Sequence, residues 1–160
     1  MTVGSATAAG ESVEVITDAL LTASRLLVAI SARSIALVDE TITLPQFRTL
    51  VVLSNRGPVN LGTLAGLLDV QPSTTTRMVD RLVSAGLIDR GPHPSSRREL
   101  VAELTAHGRE LVQQVTAHRR REIARIVENM PSRERRGLVR ALTAFTAAGG
   151  EAAAHVDADL

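Results

Sequence analysis

The sequence lacks cysteine, which excludes disulfide bridges, a thiol redox switch and zinc sites built on cysteine. It also lacks tryptophan and tyrosine, and its only aromatic residues are Phe47 and Phe145. The hydrophobic core of this 160-residue chain must therefore consist of Leu, Val, Ile and Ala, a set that we expect to find in helices. The length is sufficient to bury one core and short for two, so one domain is expected.

Lysine is missing as well, so all 18 basic residues are arginine. Arginine keeps its charge and presents a planar fork of donors that fits phosphates and guanine edges. A genome rich in G and C, which favours arginine codons, explains the same bias. Because the formal net charge is only +1, the positions of the arginines must decide whether the chain binds nucleic acid.

Signals for export, membrane insertion and catalysis are absent from the sequence. The N-terminal residues MTVGSATAAGES contain no basic start followed by an apolar stretch, and no run approaches the roughly 20 apolar residues that span a bilayer. The four histidines lack metal-ligand spacing, and no phosphate loop, Ser/His/Asp arrangement or carboxylate pair on one helix face appears. We expect a cytoplasmic protein without membrane partner, metal, cofactor or enzymatic activity.

Amphipathic segments follow one another between two predicted flexible tails, at residues 1–12 and 151–160. Apolar residues recur at helical spacing except in mid-chain, where the period becomes that of strands. The predicted order is helix, helix, helix, helix, hairpin, helix, helix, with helices near residues 13–39, 44–56, 61–68, 72–85, 106–130 and 132–150. The fold class is therefore mainly α with a small β-hairpin.

Capping residues predict the ends of several of these helices. Pro45 fits a first helical turn, Asn60 and Thr105 are suitable N-caps, and Gly86 stands where a left-handed residue is needed. Ser132 is expected to cap the last helix. The residues of that helix predicted to face inward are Leu138, Val139, Leu142 and Phe145.

The segment from Leu61 to Arg90 has the lengths of a helix-turn-helix, with a tight turn at residues 69–71. In its second helix Thr76, Val79 and Leu82 lie at three-residue steps and are predicted to face the core. The residues predicted to point outward are Ser73, Thr74, Thr75, Arg77, Asp80 and Arg81.

Hydroxyl residues at the start of this helix would let it enter a major groove closely and bond to phosphates or base edges. Arg77, one turn further on, would reach guanine O6 and N7. An ordinary surface helix capped by Ser, Thr and Pro fits the same pattern when it is taken alone. The residues that we predict to contact DNA from this helix are Ser73, Thr74, Thr75, Arg77 and Arg81.

The hairpin that follows decides between these readings. Residues 87–90 and 98–104 are predicted strands joined by a long tip at residues 91–97, and a hairpin directly after a helix-turn-helix is a wing. A wing places basic side chains on the DNA backbone or in the minor groove. The predicted wing contacts are Ser96, Arg97 and Arg98, with Arg90 at the base of the wing. An arginine pair in a loop is otherwise most often a solvated surface.

The order and spacing of several motifs resemble the MarR family of winged helix-turn-helix transcriptional regulators over residues 13–147. The motifs that carry the resemblance are LPQF at 44–47, LA at 64–65, TRMVDRL at 76–82, GLIDR at 86–90 and LT at 104–105. The resemblance implies a homodimeric repressor that reads a near-palindromic site and that is released by a small aromatic or phenolic effector. One departure concerns the wing, because similar proteins carry Asp two residues before the wing arginine, where this chain has Ser96.

A dimer is also expected from the residues themselves, because the long apolar stripes at both chain ends cannot be covered by the small central lobe. We predict dimerisation helices in 13–39 and 105–150 around a DNA-binding lobe at 44–104, all in one domain over 13–150. Two-fold symmetry would separate the recognition helices by about 34 Å, one turn of DNA.

Three arginines, Arg25, Arg48 and Arg56, are candidates for an effector pocket that binds an anionic group. The run Arg119 to Arg121 is expected on a solvated helix face with neighbouring glutamates. Two other functions remain open from the sequence: a helical module that binds another protein and has no affinity for DNA, and an architectural DNA-binding protein without an effector.

Overall fold

The computed structural model describes residues 11–151. The tails predicted at 1–12 and 151–160 therefore lie almost wholly outside the described residues. Ser12, which was assigned to the first tail, instead caps the first helix, and its hydroxyl accepts a hydrogen bond from the backbone N–H of Val15 at 3.3 Å.

Within these residues the chain forms helices around one small sheet. The elements are α1 (Val13–Val38), α2 (Leu44–Arg56), β1 (Val59–Asn60), α3 (Leu61–Leu68), α4 (Pro72–Ser84), β2 (Ile88–His93), β3 (Ser96–Leu104), α5 (Ala106–Asn129), α6 (Ser132–Arg135) and α7 (Leu138–Ala148). The mainly helical fold class is confirmed.

Local capping chemistry explains why most helix ends were predictable. The hydroxyl of Thr43 accepts from the Gln46 backbone while the Gln46 side chain accepts from the Thr43 N–H, so α2 begins with a reciprocal capping box. Asn60 caps α3 by accepting from Thr63 at 2.7 Å, as expected. Gly86, after α4, has φ +73°, a conformation that favours glycine.

The sheet has three antiparallel strands in the order β1-β3-β2. The strands of the hairpin extend further than predicted, because Pro94 and Ser95 alone separate His93 from its partner Ser96. The expectation of a long tip over residues 91–97 is therefore wrong. Strand β1 could not be predicted, because its two residues are too few to show the alternation of a strand.

The core lies where α2, α3, α4 and the first half of α5 meet the sheet. Its fully buried members come from every one of these elements, and the largest are Leu50, Leu53, Leu64, Val79, Leu82, Leu87, Ile88 and Val115. Burial of these aliphatic side chains supplies most of the stability of the lobe, at about 25 cal/mol per Å² of apolar surface.

The C-terminal segment differs from the prediction of one helix capped by Ser132. Pro131 is the N-cap of a short α6, and Gly137, with φ +80°, separates that turn from α7. The predicted inward orientation of the apolar residues of α7 is also wrong in the single chain, because Val139 is 79% exposed and Phe145 54% exposed. No element of the chain covers this face within the described residues.

Helix α1 has a similar exposed apolar surface. Its buried residues, Ile30, Ser31, Ser34 and Ile35, all lie in its C-terminal half, and the helix packs against α5. By length and composition α1 would be able to cross a membrane, contrary to the expectation that no segment approaches such a length. One such helix is weak evidence for a membrane span, since core helices of soluble proteins can have the same length and hydropathy.

An ion pair joins α1 to α5. The Arg33 guanidinium donates to the Glu122 carboxylate at 2.8 Å, and this hydrogen bond lowers the pKa of Glu122. No local pattern indicates this pair, because its two residues are 89 positions apart in the sequence.

A closely packed junction joins the lobe at residues 44–104 to α5. The backbone N–H of Thr105 donates to the Leu87 carbonyl at 3.1 Å, and its hydroxyl donates to the Gly86 carbonyl at 2.7 Å. The same hydroxyl accepts from Gly108, which lies so close that a Cβ there would overlap the Leu87 carbonyl. Glycine is required at position 108 because the neighbouring atom is backbone.

Replacing Gly108 by Ala should destabilise the fold by about 1–3 kcal/mol, since the added methyl forces α5 away from Leu87. Urea unfolding monitored by circular dichroism measures this change. Gly66→Ala, in mid-helix with nothing near the added Cβ, is the matched control and should unfold at the same or a higher urea concentration. Equal unfolding midpoints for the Gly108 variant and the unmodified chain would contradict the steric argument.

Candidate nucleic-acid interface

The helices α3 and α4 meet at a three-residue turn, Asp69 to Gln71. Asp69 closes α3 in the left-handed conformation with φ 54°, and Pro72 then begins α4. Leu64 and Leu68 of α3 lie in the same buried cluster as Val79 and Leu82 of α4. The predicted helix-turn-helix is therefore present, and its packing determines which face of α4 is exposed.

The exposed face of α4 carries hydroxyls and arginines near its N-terminus. Ser73, Thr74, Arg77 and Arg81 are exposed, as predicted. The Arg77 Nε lies 3.4 Å from the Ser73 carbonyl, and among the described residues its two terminal nitrogens have no hydrogen-bond partner. That leaves the guanidinium fork available to a ligand.

Thr75 corrects the prediction for this helix. Its side chain is fully buried and lies 3.4 Å from the Gln71 carbonyl, whereas Thr76 is exposed. The buried stripe is therefore Thr75, Val79 and Leu82, at steps of four and three residues, which add up to about two helical turns. The predicted stripe beginning at Thr76 used two steps of three, which drift about 120° around the helix. Thr75 cannot contact DNA from this position, and Thr76 was missed.

The wing arginines are exposed in β3. Neither Arg97 nor Arg98 takes part in an ion pair among residues 11–151. Because successive side chains of a strand point to opposite faces, the two arginines lie on opposite faces of the hairpin. The next residue, Glu99, accepts a hydrogen bond from Asn60 at 2.5 Å, which ties the wing to the cap of α3.

An ion pair links α4 to the wing. The Arg90 guanidinium lies 2.9 Å from the Asp80 carboxylate, with 30% and 56% of the two side chains exposed. Such an exposed pair contributes about 1 kcal/mol or less. Its geometric effect is more specific, because it sets the base of the wing against the recognition helix and neutralises the one acidic group on the exposed face of that helix. The sequence identified both residues but not their contact.

A cavity of about 620 Å³ lies between α1, α2, α4 and α5. Its wall is mostly apolar and includes Leu27, Phe47 and Met78, and the charged residues that line it in the described part of the chain are Arg48 and Arg119. Of the predicted effector residues only Arg48 lines this cavity. Arg25 instead donates to Thr22, and Arg56 lines a smaller cleft of about 130 Å³.

Arg119 was predicted on a solvated face, and that prediction is wrong. Its Nε is buried and has no hydrogen-bond partner among the described residues. The available signal was its position four residues after Val115, which is fully buried, since such residues share a helix face. A buried donor without a partner is costly, so this atom favours an occupant that accepts hydrogen bonds.

A short helix, a tight turn, a second helix and an antiparallel hairpin packed beside them define a winged helix-turn-helix protein. A family model described as the MarR family matches residues 42–100, which include the whole helix-turn-helix and most of the wing. The chain belongs to the MarR family. The resemblance found in the sequence is confirmed.

Individual proteins support this assignment. The crystal structure of RV1404 from Mycobacterium tuberculosis is 76% identical, with a TM-score of 0.83 over 91% of this chain and 99% of that one. The HTH-type transcriptional regulator Mb0904 of Mycobacterium bovis is 31% identical over 70 residues, which cover 44% of this chain and 49% of that protein. The HTH-type transcriptional repressor NicR of Pseudomonas putida is 34% identical over 70 residues, 44% of each chain. The chain thus spans about half the length of these curated relatives.

Proposed function

We propose that this chain is a transcriptional repressor that binds a pseudo-palindromic DNA site as a homodimer in the cytoplasm and releases it when a small molecule binds. The observation that carries this proposal is the exposed face of α4, where hydroxyls and arginines lie beside a wing whose Arg97 and Arg98 form no ion pair within residues 11–151. The similarity to NicR, which is named a repressor, favours repression over activation.

Two elements, α4 and the wing, contact DNA in this proposal. The N-terminal turn of α4 enters the major groove, where Ser73, Thr74 and Thr76 bond to phosphates or base edges. Arg77, with its fork free, reads guanine through O6 and N7. Arg97 and Arg98 hold the flanking backbone or the minor groove. Arg90, paired with Asp80, positions the wing and does not read bases.

Selection of bound duplexes from a random pool tests this proposal. The wild-type chain should enrich a pseudo-palindrome. Its affinity for the selected duplex should fall steeply as the salt concentration rises, since phosphate contacts release counterions. A protein-binding module would shift no duplex at any salt concentration. An architectural protein would bind without enriching a sequence. Either result would contradict the proposal.

Replacing Arg77 by Ala should weaken binding to the selected duplex by about 1–3 kcal/mol and relax the preference at one base pair of each half-site. Gel-shift titrations on duplexes varied at single positions measure both effects. Thr75→Val is the matched control, because it changes the buried neighbour on the same helix while leaving the exposed face intact, and it should bind as the wild type. Unchanged affinity and base preference for Arg77→Ala would contradict the assignment of the recognition helix.

Replacing Arg98 by Ala should weaken binding to all duplexes by similar factors. It should also reduce the slope of log affinity against log salt concentration by about one, since one phosphate contact is lost. The same titrations, repeated at several salt concentrations, measure the slope. A response confined to one base position would contradict a backbone role for this residue.

Dimerisation is supported by the apolar surface that the single chain leaves exposed. Val13, Ile16 and Leu21 on α1 and Leu142 and Phe145 on α7 are all exposed. Large apolar side chains left exposed along a helix usually mark an interface. The α6–α7 segment carries four arginines and one glutamate, whereas the first turns of α1 carry Glu14 and Asp18, so opposite charges would favour the approach of these two segments in a dimer.

The wild-type chain should sediment at twice the 17.0 kDa mass of one chain. Replacing both Leu142 and Phe145 by Glu should shift it towards the monomer, because each added carboxylate would have to be buried in the interface. Leu100→Glu, an exposed apolar position on the wing, is the control and should leave the dimer intact. A wild-type monomer at micromolar concentration would contradict the proposed dimer.

An effector site is supported by the cavity beneath α4. Its apolar wall with two arginines fits a small aromatic or aliphatic molecule that carries one anionic group. Met78 belongs both to this wall and to α4, and the Thr49 hydroxyl lies 2.8 Å from its sulfur. A ligand that displaces Met78 would therefore move the helix that reads DNA.

A panel of small aromatic carboxylates and phenols should contain compounds that release the selected duplex from the wild-type chain. For a carboxylate that releases the duplex, Arg119→Ala should weaken the affinity of the chain for that carboxylate about tenfold or more. The substitution removes a charged hydrogen-bond donor from the cavity. Calorimetry measures this change, and Arg25→Ala, which lies off the cavity, is the control. A panel without any effect on DNA release would count against effector control.

A further inference from the structure

The tip of the wing is held by a histidine. The Nδ1 atom of His93 lies 3.0 Å from the backbone nitrogen of Ser95 and 2.7 Å from its hydroxyl oxygen. These contacts close the two-residue turn between β2 and β3, where His93 pairs with Ser96. The recognition helix does not take part in this arrangement.

These contacts fix where the proton of the neutral imidazole lies. A backbone N–H can only donate, so Nδ1 must accept the bond from Ser95, and the proton of the ring must be on Nε2. Across the ring, on the side away from Ser95, this Nε2–H has no hydrogen-bond partner among residues 11–151. The turn therefore leaves one directed donor free at the tip.

Two prolines stiffen the backbone that carries this donor. Pro92 and Pro94 flank His93, each with a restricted φ, and Pro94 also limits the conformation of the residue before it. Neither proline offers a backbone N–H. Little conformational freedom would therefore be lost when the tip meets a ligand, and the side chain of His93 supplies the donor there.

We propose that His93 is a DNA-contacting residue, which uses Nε2–H to donate a hydrogen bond to an acceptor of the duplex beside the groove that α4 enters. This inference rests on the proposed function, because it requires the wing to lie on DNA. The acceptor is an unprotonated nitrogen or an oxygen, offered by adenine N3 and thymine O2 in the minor groove or by a phosphate. Arg97 and Arg98 supply charge to the same hairpin, whereas His93 supplies a single donor of fixed direction.

Two substitutions separate the donor from the turn. In His93→Asn the amide oxygen replaces Nδ1 and still accepts from Ser95, but the donor at Nε2 is lost. In His93→Gln the amide nitrogen replaces Nε2 and keeps a donor, but the acceptor for Ser95 is lost. Gel-shift titrations on the duplex selected by the wild type compare both variants, and His107→Asn, an exposed histidine on α5, is the matched control.

His93→Asn should bind about three- to tenfold more weakly than the wild type, as expected for one lost hydrogen bond, and more weakly than His93→Gln. His107→Asn should bind as the wild type. If His93→Asn binds as tightly as the wild type, or no more weakly than His93→Gln, the residue only forms the turn and the inference is overturned. A wild-type chain that binds no duplex would overturn the proposed function together with it.

Exchanging A·T for G·C pairs under the wing identifies the acceptor. A contact to a base edge predicts that the wild type prefers one of these flanks and that His93→Asn loses the preference. A contact to phosphate predicts a uniform loss for His93→Asn on every flank. Both results support the proposed donor and assign its partner.

Discussion

The rest of the structure depends on the junction at Thr105. Its hydroxyl accepts from Gly108 at the start of α5 and donates to the carbonyl of Gly86, just after α4, while its backbone N–H donates to the carbonyl of Leu87. One residue thus joins the exit of the recognition helix, the first residues of the hairpin and the long helix that leads away from them. The geometry of the candidate interface relative to α5 is fixed at this point, and the absence of a side chain at Gly108 permits the approach.

Features set by local chemistry could be predicted from the sequence, whereas features set by packing between elements could not. The caps at Asn60 and Thr105 need only the residues around them, and both are confirmed. Whether Thr75 or Thr76 is buried depends on how α4 rotates against its neighbours, which a spacing of three residues does not determine. The length of the wing strands, likewise, follows from pairing partners such as His93 and Ser96.

The candidate site follows the same division. Exposed arginines on α4 and β3 were identified because a helix-turn-helix and a wing place them outward whatever the details of the core. The Asp80–Arg90 pair and the entry of Arg119 into the cavity join residues that are distant in the sequence or placed by helix packing, so no local pattern indicates them. Apolar residues on α7 satisfy the helical period equally well in a monomer core and at an interface between copies, which is why their burial was mispredicted.

The position of Met78 in both the cavity wall and the recognition helix has a thermodynamic consequence. If a ligand in the cavity lowers the affinity for DNA by some factor, DNA must lower the affinity for that ligand by the same factor, because the two binding free energies share one coupling free energy. The concentration at which the molecule acts would then be set by the number of competing duplex sites as well as by the cavity itself. A dissociation constant measured without DNA would overstate the sensitivity of the regulator in the cell.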